Sequence, residues 1–521
     1  MEPQRNCADW LVLPPGLSPE CLGDGWDVAR QRRTVAIFTF HDTFEWGLWF
    51  SGYTLYSTGD EYVLQTHVNG WPGAVKCTER GVGRRFWHDF STDAMRSYLR
   101  EPLGLRGLTA VATGRFSTQL CELRNDMGKI VCRVEWNTVA EEPGGVEILV
   151  WCRVLPLRGY AREAAQVTER LASIGAAPSS AGPIALLLRH AHQEPRVYTL
   201  KPTFDLSFET PAREAVGRII STILSIADSN IHGIISDLDT EFLHDYRICL
   251  RKTRSLLGLV KDVYPAGETC RVRKQLGDLA RATNRLRDLD VYLLARQDLL
   301  EGLPDSLHQG LTQIFAEFSS EREVEQRRVG TQLHGRATAR KLRVLRESFS
   351  SPSTHEASSA ALLPVGPLVF RGIYRRYRKI RKIGKDISID TADEMLHQLR
   401  IECKKLRYLM EFFNELIPAK EGLLLQKQLR RLQGRLGDFN DSSVQQRFLL
   451  DWWHKGRSGI DAALAMGGLL ALLHQRRHQA RLLVDEVLQE FIGDDVATTF
   501  KRIFRRPAVM SENNSPKDRP Q

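Results

Sequence analysis

The sequence predicts a multidomain chain: a β-rich α+β domain at the N-terminal end, then an all-α bundle of two repeated halves. Three observations carry this. The stretch HDYRICLRKTRSLLGL at His244 recurs as HQLRIECKKLRYLMEF at His397, an offset of 153 residues, and an internal repeat fixes architecture before any other signal. The segment from Thr34 to about Val154 is rich in β-branched and aromatic residues. Charge is divided too: residues 1–200 hold 21 Lys+Arg against 22 Asp+Glu, a net of −1, so of the total of +10 the remainder carries +11.

Taken in order, residues 1–33 are punctuated by Pro and Gly and are expected to be irregular. They lack a charged segment followed by an apolar core, so no signal peptide is expected. Strands are expected at TVAIFTF, YTLYST, EYVLQTHV, KIVCRVEW and VEILVWCRVL, with turns at Asn69–Gly70 and Glu142–Gly145. A helix, AREAAQVTERLASIG, follows. These elements make a β-rich domain over 34–200, with a boundary in the Pro- and Ser-containing stretch 175–205.

From Pro211 the period becomes helical, with Ala215, Ile219, Ile220, Ile223 and Leu224 on one face. Asp237 and Asp239 suit the start of the His244 helix, because acidic groups favour a helix N-terminus. Val263-Tyr264-Pro265 closes that helix, and Leu276, Leu279, Leu286 and Leu289 form the apolar face of the next. Residues 310–347 read as one or two charged helices. The first half spans 205–348, a Ser- and Pro-rich linker 349–367, the second half 368–506, and a disordered polar tail 507–521. The apolar run AALAMGGLLALL from Ala462 is too short to span a bilayer, so no membrane insertion is expected.

Within the repeat, His244, Arg247, Arg251 and Arg254 fall at steps of three, four and three, and so on one helix face. His397, Arg400, Lys404 and Arg407 form the twin stripe, with Lys252 and Lys405 also matched between copies. Like charges at this spacing cost an isolated helix a few tenths of a kcal/mol per pair. Two copies of that cost suggest a surface for an anion; a solvated charged face is the alternative. A third stripe, Arg371, Arg375, Arg378 and Lys382, either lines the same groove or lies on an outer face. Arg375, Arg378 and Lys382 are candidate additional anion contacts.

The repeated H-x-x-R-x-x-x-[RK]-[RK]-x-R helices resemble the CHAD family, the conserved-histidine α-helical domains. Each is followed by a second matching signature, RLRDLDV at Arg285–Val291 and RLGDFND at Arg435–Asp441. The resemblance covers about 205–500 and implies a two-half helical bundle that binds inorganic polyphosphate on basic helix faces. The β-rich segment resembles, weakly, the CYTH triphosphate-tunnel family through FHDTFEWGLWFSGYTLY, with Arg115, Arg124 and Glu147 at family-like positions. It lacks the E-x-E-x-K strand, and L-R-x-R is replaced by Leu55-Tyr56-Ser57-Thr58. Metal-assisted phosphoryl transfer needs carboxylates for the ion and cations for the phosphates. The N-domain is therefore expected to be a tunnel fold without catalysis.

Polyphosphate is a chain of anions without bases, so its binder needs a cationic track and no stacking platform. Tyr408 directly follows the second basic motif, and Ser255 stands in its place in the first copy. His244 and His397 are read as phosphate donors or as packing histidines, with acid/base work the least supported reading. Asp288, Asp290, Asp438 and Asp441 are expected to buttress basic residues or cap helices. Nine cysteines with no CxxC pair suggest neither a disulfide framework nor a zinc site. The expectation is a cytoplasmic, non-catalytic polyphosphate binder, associated with polyphosphate granules, with no metal and no cofactor. The alternatives are a metal-dependent triphosphatase in the N-domain and a nucleic-acid-binding or scaffold protein.

Overall fold

A computed structural model describes residues 10–505 apart from 24, 84, 143–144, 146, 180, 351–357, 389–390 and 457–458, and the side chains of 75, 141 and 350. The expectations for residues 1–9, for the middle of the linker and for the tail at 507–521 lie outside the described residues. The chain divides into two compact units, 1–198 and 199–521. The first is sheet-rich and the second helical.

The first unit contains β1 (Leu11–Leu13), β2 (Asp27–Arg30), β3 (Thr34–Asp42), β4 (Tyr53–Thr58), β5 (Glu61–Val68), β6 (Trp71–Arg80), β7 (Thr109–Arg124), β8 (Ile130–Glu141), β9 (Glu147–Pro156) and β10 (Ala177–Pro178). Their order in one sheet is β10-β1-β9-β8-β7-β3-β4-β5-β6, with β2 beside β7, and each pairing is antiparallel. The helices α1 (Gly47–Phe50), α2 (Asp93–Leu103), α3 (Ala161–Ser173) and α4 (Pro183–His190) complete the unit.

The Asn69–Gly70 pair makes the two-residue β5–β6 hairpin: Val68 faces Trp71, and both turn residues have positive φ, 51° and 79°. That geometry matches strand twist and favours Asn-Gly. Gly70 is doubly constrained, since an added Cβ would lie 2.7 Å from Cβ of Ala185.

The expectation of an irregular segment over 1–33 is corrected. β1 pairs with β9 and β10, and β2 pairs with β7. Strands of three or four residues are too short to show alternation, and they form here by adding to exposed N–H and C=O groups of a sheet already present.

The interior of this sheet is aromatic. Phe38 packs edge-on to Tyr56 and Phe116 at 5.0 and 5.1 Å, and Trp10 stacks on Trp71 at 5.4 Å. Arg115 pairs with Glu142 at 3.2 Å, Arg124 with Glu122 at 3.6 Å, and the Glu147 carboxylate accepts from the Gly16 N–H. Asp42, in the FHDTFEW block, is buried and accepts N–H bonds from Thr43, Leu48 and Trp49. It shapes the loop into α1, and burial raises its carboxyl to about 6.

The second unit begins with α5 (Ala212–Ser229), α6 (Ile231–Ile235), α7 (Thr240–Leu259), α8 (Ala266–Arg281), α9 (Asn284–Leu294), α10 (Arg296–Glu301), α11 (His308–His334) and α12 (Arg336–Ser350). It continues with α13 (Val365–Lys385), α14 (Asp393–Phe412), α15 (Ala419–Trp453), α16 (Ile460–Ile492) and α17 (Asp494–Phe504). Among the described residues, no helix is long and apolar enough to cross a membrane.

Asp239 caps α7, accepting from the N–H groups of Glu241 and Phe242. Such a cap satisfies donors that a helix leaves orphaned and contributes about 1 kcal/mol. Asp237 serves a different role, pairing with Arg322. One core joins the halves: Leu289 and Tyr292 of α9 and Phe315 and Phe318 of α11 cluster with Trp452 of α15 and Leu469 of α16. The linker expectation of 349–367 is narrowed. α12 runs to Ser350 and α13 starts at Val365. Carbonyls of Ala361 and Leu363 accept the first N–H groups of α5, so this end of the linker is docked rather than a free spacer.

Candidate anion-binding cavity

The two repeat helices, α7 and α14, pack against each other; α9 flanks α7 and α15 flanks α14. In α7 the apolar residues Leu243, Tyr246, Leu250 and Leu257 are buried. A helix that buries one stripe turns the residues beside it toward its neighbours' edges. The result is a cavity of about 410 Å³. His244, Arg247 and Arg251 enter it from α7, and Arg287, Asp288 and Tyr292 from α9. Arg400 and Lys404 enter from α14, and Asp441, Gln445 and Phe448 from α15. Five cations therefore face two carboxylates, an excess of three positive charges.

These cations crowd one another. Burial, then Arg400 and Arg251, lower the Lys404 ammonium to about 8. Burial lowers the Arg247 guanidinium to about 10 and lowers Arg400 as well. Arg251, from the first half, acts on both Arg400 and Lys404 of the second. Arg247 donates to the Ala280 carbonyl and to Thr283 Oγ1, both at 2.7 Å. Arg400 donates to Asp441 at 3.0 Å. Arg287 Nη1 and Arg400 Nε are buried donors without a hydrogen-bond partner. Unpaired buried donors cost about 1–3 kcal/mol each, more when charged.

Five sequence-predicted residues lie outside the cavity lining. Lys252 is 7% exposed; it donates to the Leu200 carbonyl and pairs with Glu411 at 3.5 Å. One residue beyond Arg251 is about 100° around the helix, which turns it inward. Lys405 joins Arg376 and Lys379 around Glu402, a carboxylate 2% exposed. Arg407 lies 3.7 Å from Glu411. Arg254 stands against Gly277 of α8. His397 is exposed and bonds Asn440 through Nδ1 at 2.9 Å.

The aspartates divide by position. Asp290 holds Arg322 at 2.8 Å, Asp441 holds Arg400, and Asp438 lies 3.7 Å from Arg435. Asp288 is raised by burial and lowered by Arg247.

Arg287 was not singled out from the sequence. It sits in RLRDLDV where the second copy, RLGDFND, has Gly437. The comparison of copies hid it, and the paired Arg287-Asp288 within a repeated signature was the available signal. The third stripe does not enter this cavity. Arg378 and Lys382 line a separate pocket, and Arg375 lines neither.

Residues 218–450, which contain both repeat helices and both signatures, match the CHAD domain family. This chain carries a CHAD domain. Two uncharacterized proteins of Mycobacterium tuberculosis, from strains CDC 1551 / Oshkosh and H37Rv, are 27% identical to it over 214 residues. The match spans 40% of this chain and 40% of each curated relative. The CHAD domain of the plant Ricinus communis aligns at 22% identity and a TM-score of 0.46, over 56% of this chain and 95% of that one. PptA from Streptomyces chartreusis aligns at 15% identity and 0.42, over 54% and 100%. The cavity described above lies within the matched CHAD segment.

Proposed function

We propose that the CHAD domain binds inorganic polyphosphate in the cavity between α7, α9, α14 and α15, without making or breaking bonds. The observation that carries this is one cavity lined by five cations from both repeat halves against two carboxylates, an excess of three positive charges. Phosphate oxygens accept from guanidinium and ammonium groups, and charge-assisted bonds of this kind are roughly twice as strong as neutral ones. Arg251 and Lys404 would contact the chain directly, Arg400, Arg247 and Arg287 would hold it deeper, and His244 would donate from the rim.

The cavity's aromatic residues support polyphosphate over single-stranded nucleic acid. Tyr292 is buried, stacked on Phe448 at 4.9 Å, with its hydroxyl donating to the Gln445 carbonyl. Both rings are thus occupied within the protein, whereas single-strand binders offer free ring faces to bases. The N-terminal unit is read as a non-catalytic, tunnel-like domain; its family-like arginines are engaged by Glu142 and Glu122.

Calorimetry of the full chain, with long-chain polyphosphate and with single-stranded DNA of equal charge, tests this reading. Tighter binding of polyphosphate is expected, and Arg251→Ala with Lys404→Ala should remove most of that preference. Equal affinity for both polymers, or no effect of the double substitution with the circular dichroism unchanged, would overturn it.

A further inference from the structure

The second basic pocket, away from the α7/α14 cavity, lies between α13 and α17 and has a volume of about 560 Å³. Arg378, Lys382 and Lys385 enter it from α13, and Lys501 enters from α17. None of these four has a carboxylate partner among the described residues. Among the other cations of α13, Arg376 and Lys379 hold Glu402, Arg381 holds the Ile492 carbonyl and Asp494, which with it also lines the pocket, and Arg371 and Arg375 lie outside the pocket. Three cations of α13 and one of α17 thus meet in one concave surface without carboxylate partners of their own.

A stripe along one helix can be a solvated face. Lys501 argues otherwise, because it comes from a helix remote in sequence and brings a fourth charge to the same pocket. The hydroxyl-bearing residues Tyr374 and Thr498 also line it, so neutral donors stand among the cations. Its floor is fixed: Tyr377 is 1% exposed, stacks on Phe500 at 3.9 Å and donates to the Phe491 carbonyl. The floor is thus pre-formed, while the four exposed cations would be ordered by the anion they bind.

We propose that this pocket is a second anion-binding site, independent of the α7/α14 cavity, which takes a compact, multiply charged phosphate such as inorganic tripolyphosphate. Several phosphate oxygens close together match four cations converging from two helices, whereas a singly charged anion would leave most of them unmatched.

The test uses the full chain carrying Arg251→Ala with Lys404→Ala, which weakens the first cavity. Tripolyphosphate should still titrate this variant in calorimetry, and adding Lys382→Ala with Lys501→Ala should weaken that binding by at least about tenfold. The exposed pair Lys427→Ala with Arg430→Ala on α15 should leave it unchanged. The proposal fails if the first variant binds no tripolyphosphate, if the added pair has no effect, or if the α15 pair reduces binding equally. Should the first cavity bind nothing in the wild-type chain, the Lys382/Lys501 pair still reports on this pocket alone, so the two readings fail separately.

Discussion

The two halves of the CHAD domain start from one template and solve the same local problem differently. In the first half the chain breaks between α8 and α9, and Arg247 fills the break by donating to Ala280 and Thr283. In the second half the matching segment runs unbroken through α15, and Arg400 is held instead by Asp441 on that helix. Asp441 occupies the signature position of Val291. Glu402, which gathers three cations, stands where the first half has the buried Cys249. Matched arginines thus do unequal work: Arg247 is partly a structural residue, while Arg400 retains a buried donor without a partner. Repeat symmetry conserves where charge is placed but not what holds it there.

The largest expected effect tests the buried carboxylate present in one half. Glu402→Gln leaves Arg376, Lys379 and Lys405 without a counter-charge and should destabilise the fold by about 3 kcal/mol, read as a lower urea midpoint. Its carboxyl is lowered from 4.5 in the folded chain. The stability it contributes is therefore present above the unfolded value and lost as pH falls through the folded one. Wild type should show this acid loss and Glu402→Gln should not. An unchanged midpoint would mean that the surrounding cations are solvated well enough to need no partner.

Next come the two stripes. Arg247→Ala with Arg251→Ala, and Arg400→Ala with Lys404→Ala, should each weaken long-chain polyphosphate binding by about tenfold, or roughly 1.4 kcal/mol. Each should make the dependence of log affinity on log salt shallower by about two. A chain that reaches both stripes gains an effectively intramolecular second contact, so short polyphosphate should lose less. The halves should differ in stability: the first double variant should lose about 2 kcal/mol through the bonds of Arg247, and the second very little. Equal stability losses would erase the distinction drawn above.

A smaller effect concerns Lys404, whose ammonium is lowered to about 8. Its folded value lies below the unfolded one, so the charged form costs stability below pH 8, and stability should rise as pH climbs from 8 toward the ordinary lysine range. Anion binding runs the other way, since the bound phosphate favours the charged form. Affinity should fall by at most roughly tenfold between pH 7 and 9, and Lys404→Arg should flatten that profile. A profile of equal slope in both proteins would assign the titration to another group.

The smallest expected effect is a gain. Asp441→Asn removes the charge that holds Arg400 and makes the second half resemble the first, with its Val291. Polyphosphate affinity should rise by about threefold, or roughly 0.65 kcal/mol. A loss would mean that Asp441 positions Arg400 for the anion rather than competing with it.

Features set by local geometry were legible in advance. The three-four-three spacing put His244, Arg247 and Arg251 on one side of α7 because helix pitch alone requires it. The Asn69–Gly70 hairpin and the Asp239 cap follow from backbone preferences of those residues. The division of charge between the two parts is a count. Contacts between distant segments were not legible. Nothing near Lys252 announces Glu411, and nothing near Lys382 announces Lys501. Arg287 escaped because the second copy has glycine in its place. β1 and β2 became strands because β9 and β7 offered them edges.

The sequence by itself determined that this chain contains two matched basic helices with a common face, because periodicity and repetition are properties of the chain. Only the tertiary structure decided which cations meet. The packing of α7 on α14 brings Arg251 to Arg400 and Lys404 and turns Lys252 toward Glu411, while the packing of α13 on α17 gives Arg378 and Lys382 a different pocket. The reason is that a helix fixes only the angle at which a side chain leaves its own axis. Whether that direction ends in solvent, on a carboxylate or beside another cation depends on the helix packed opposite.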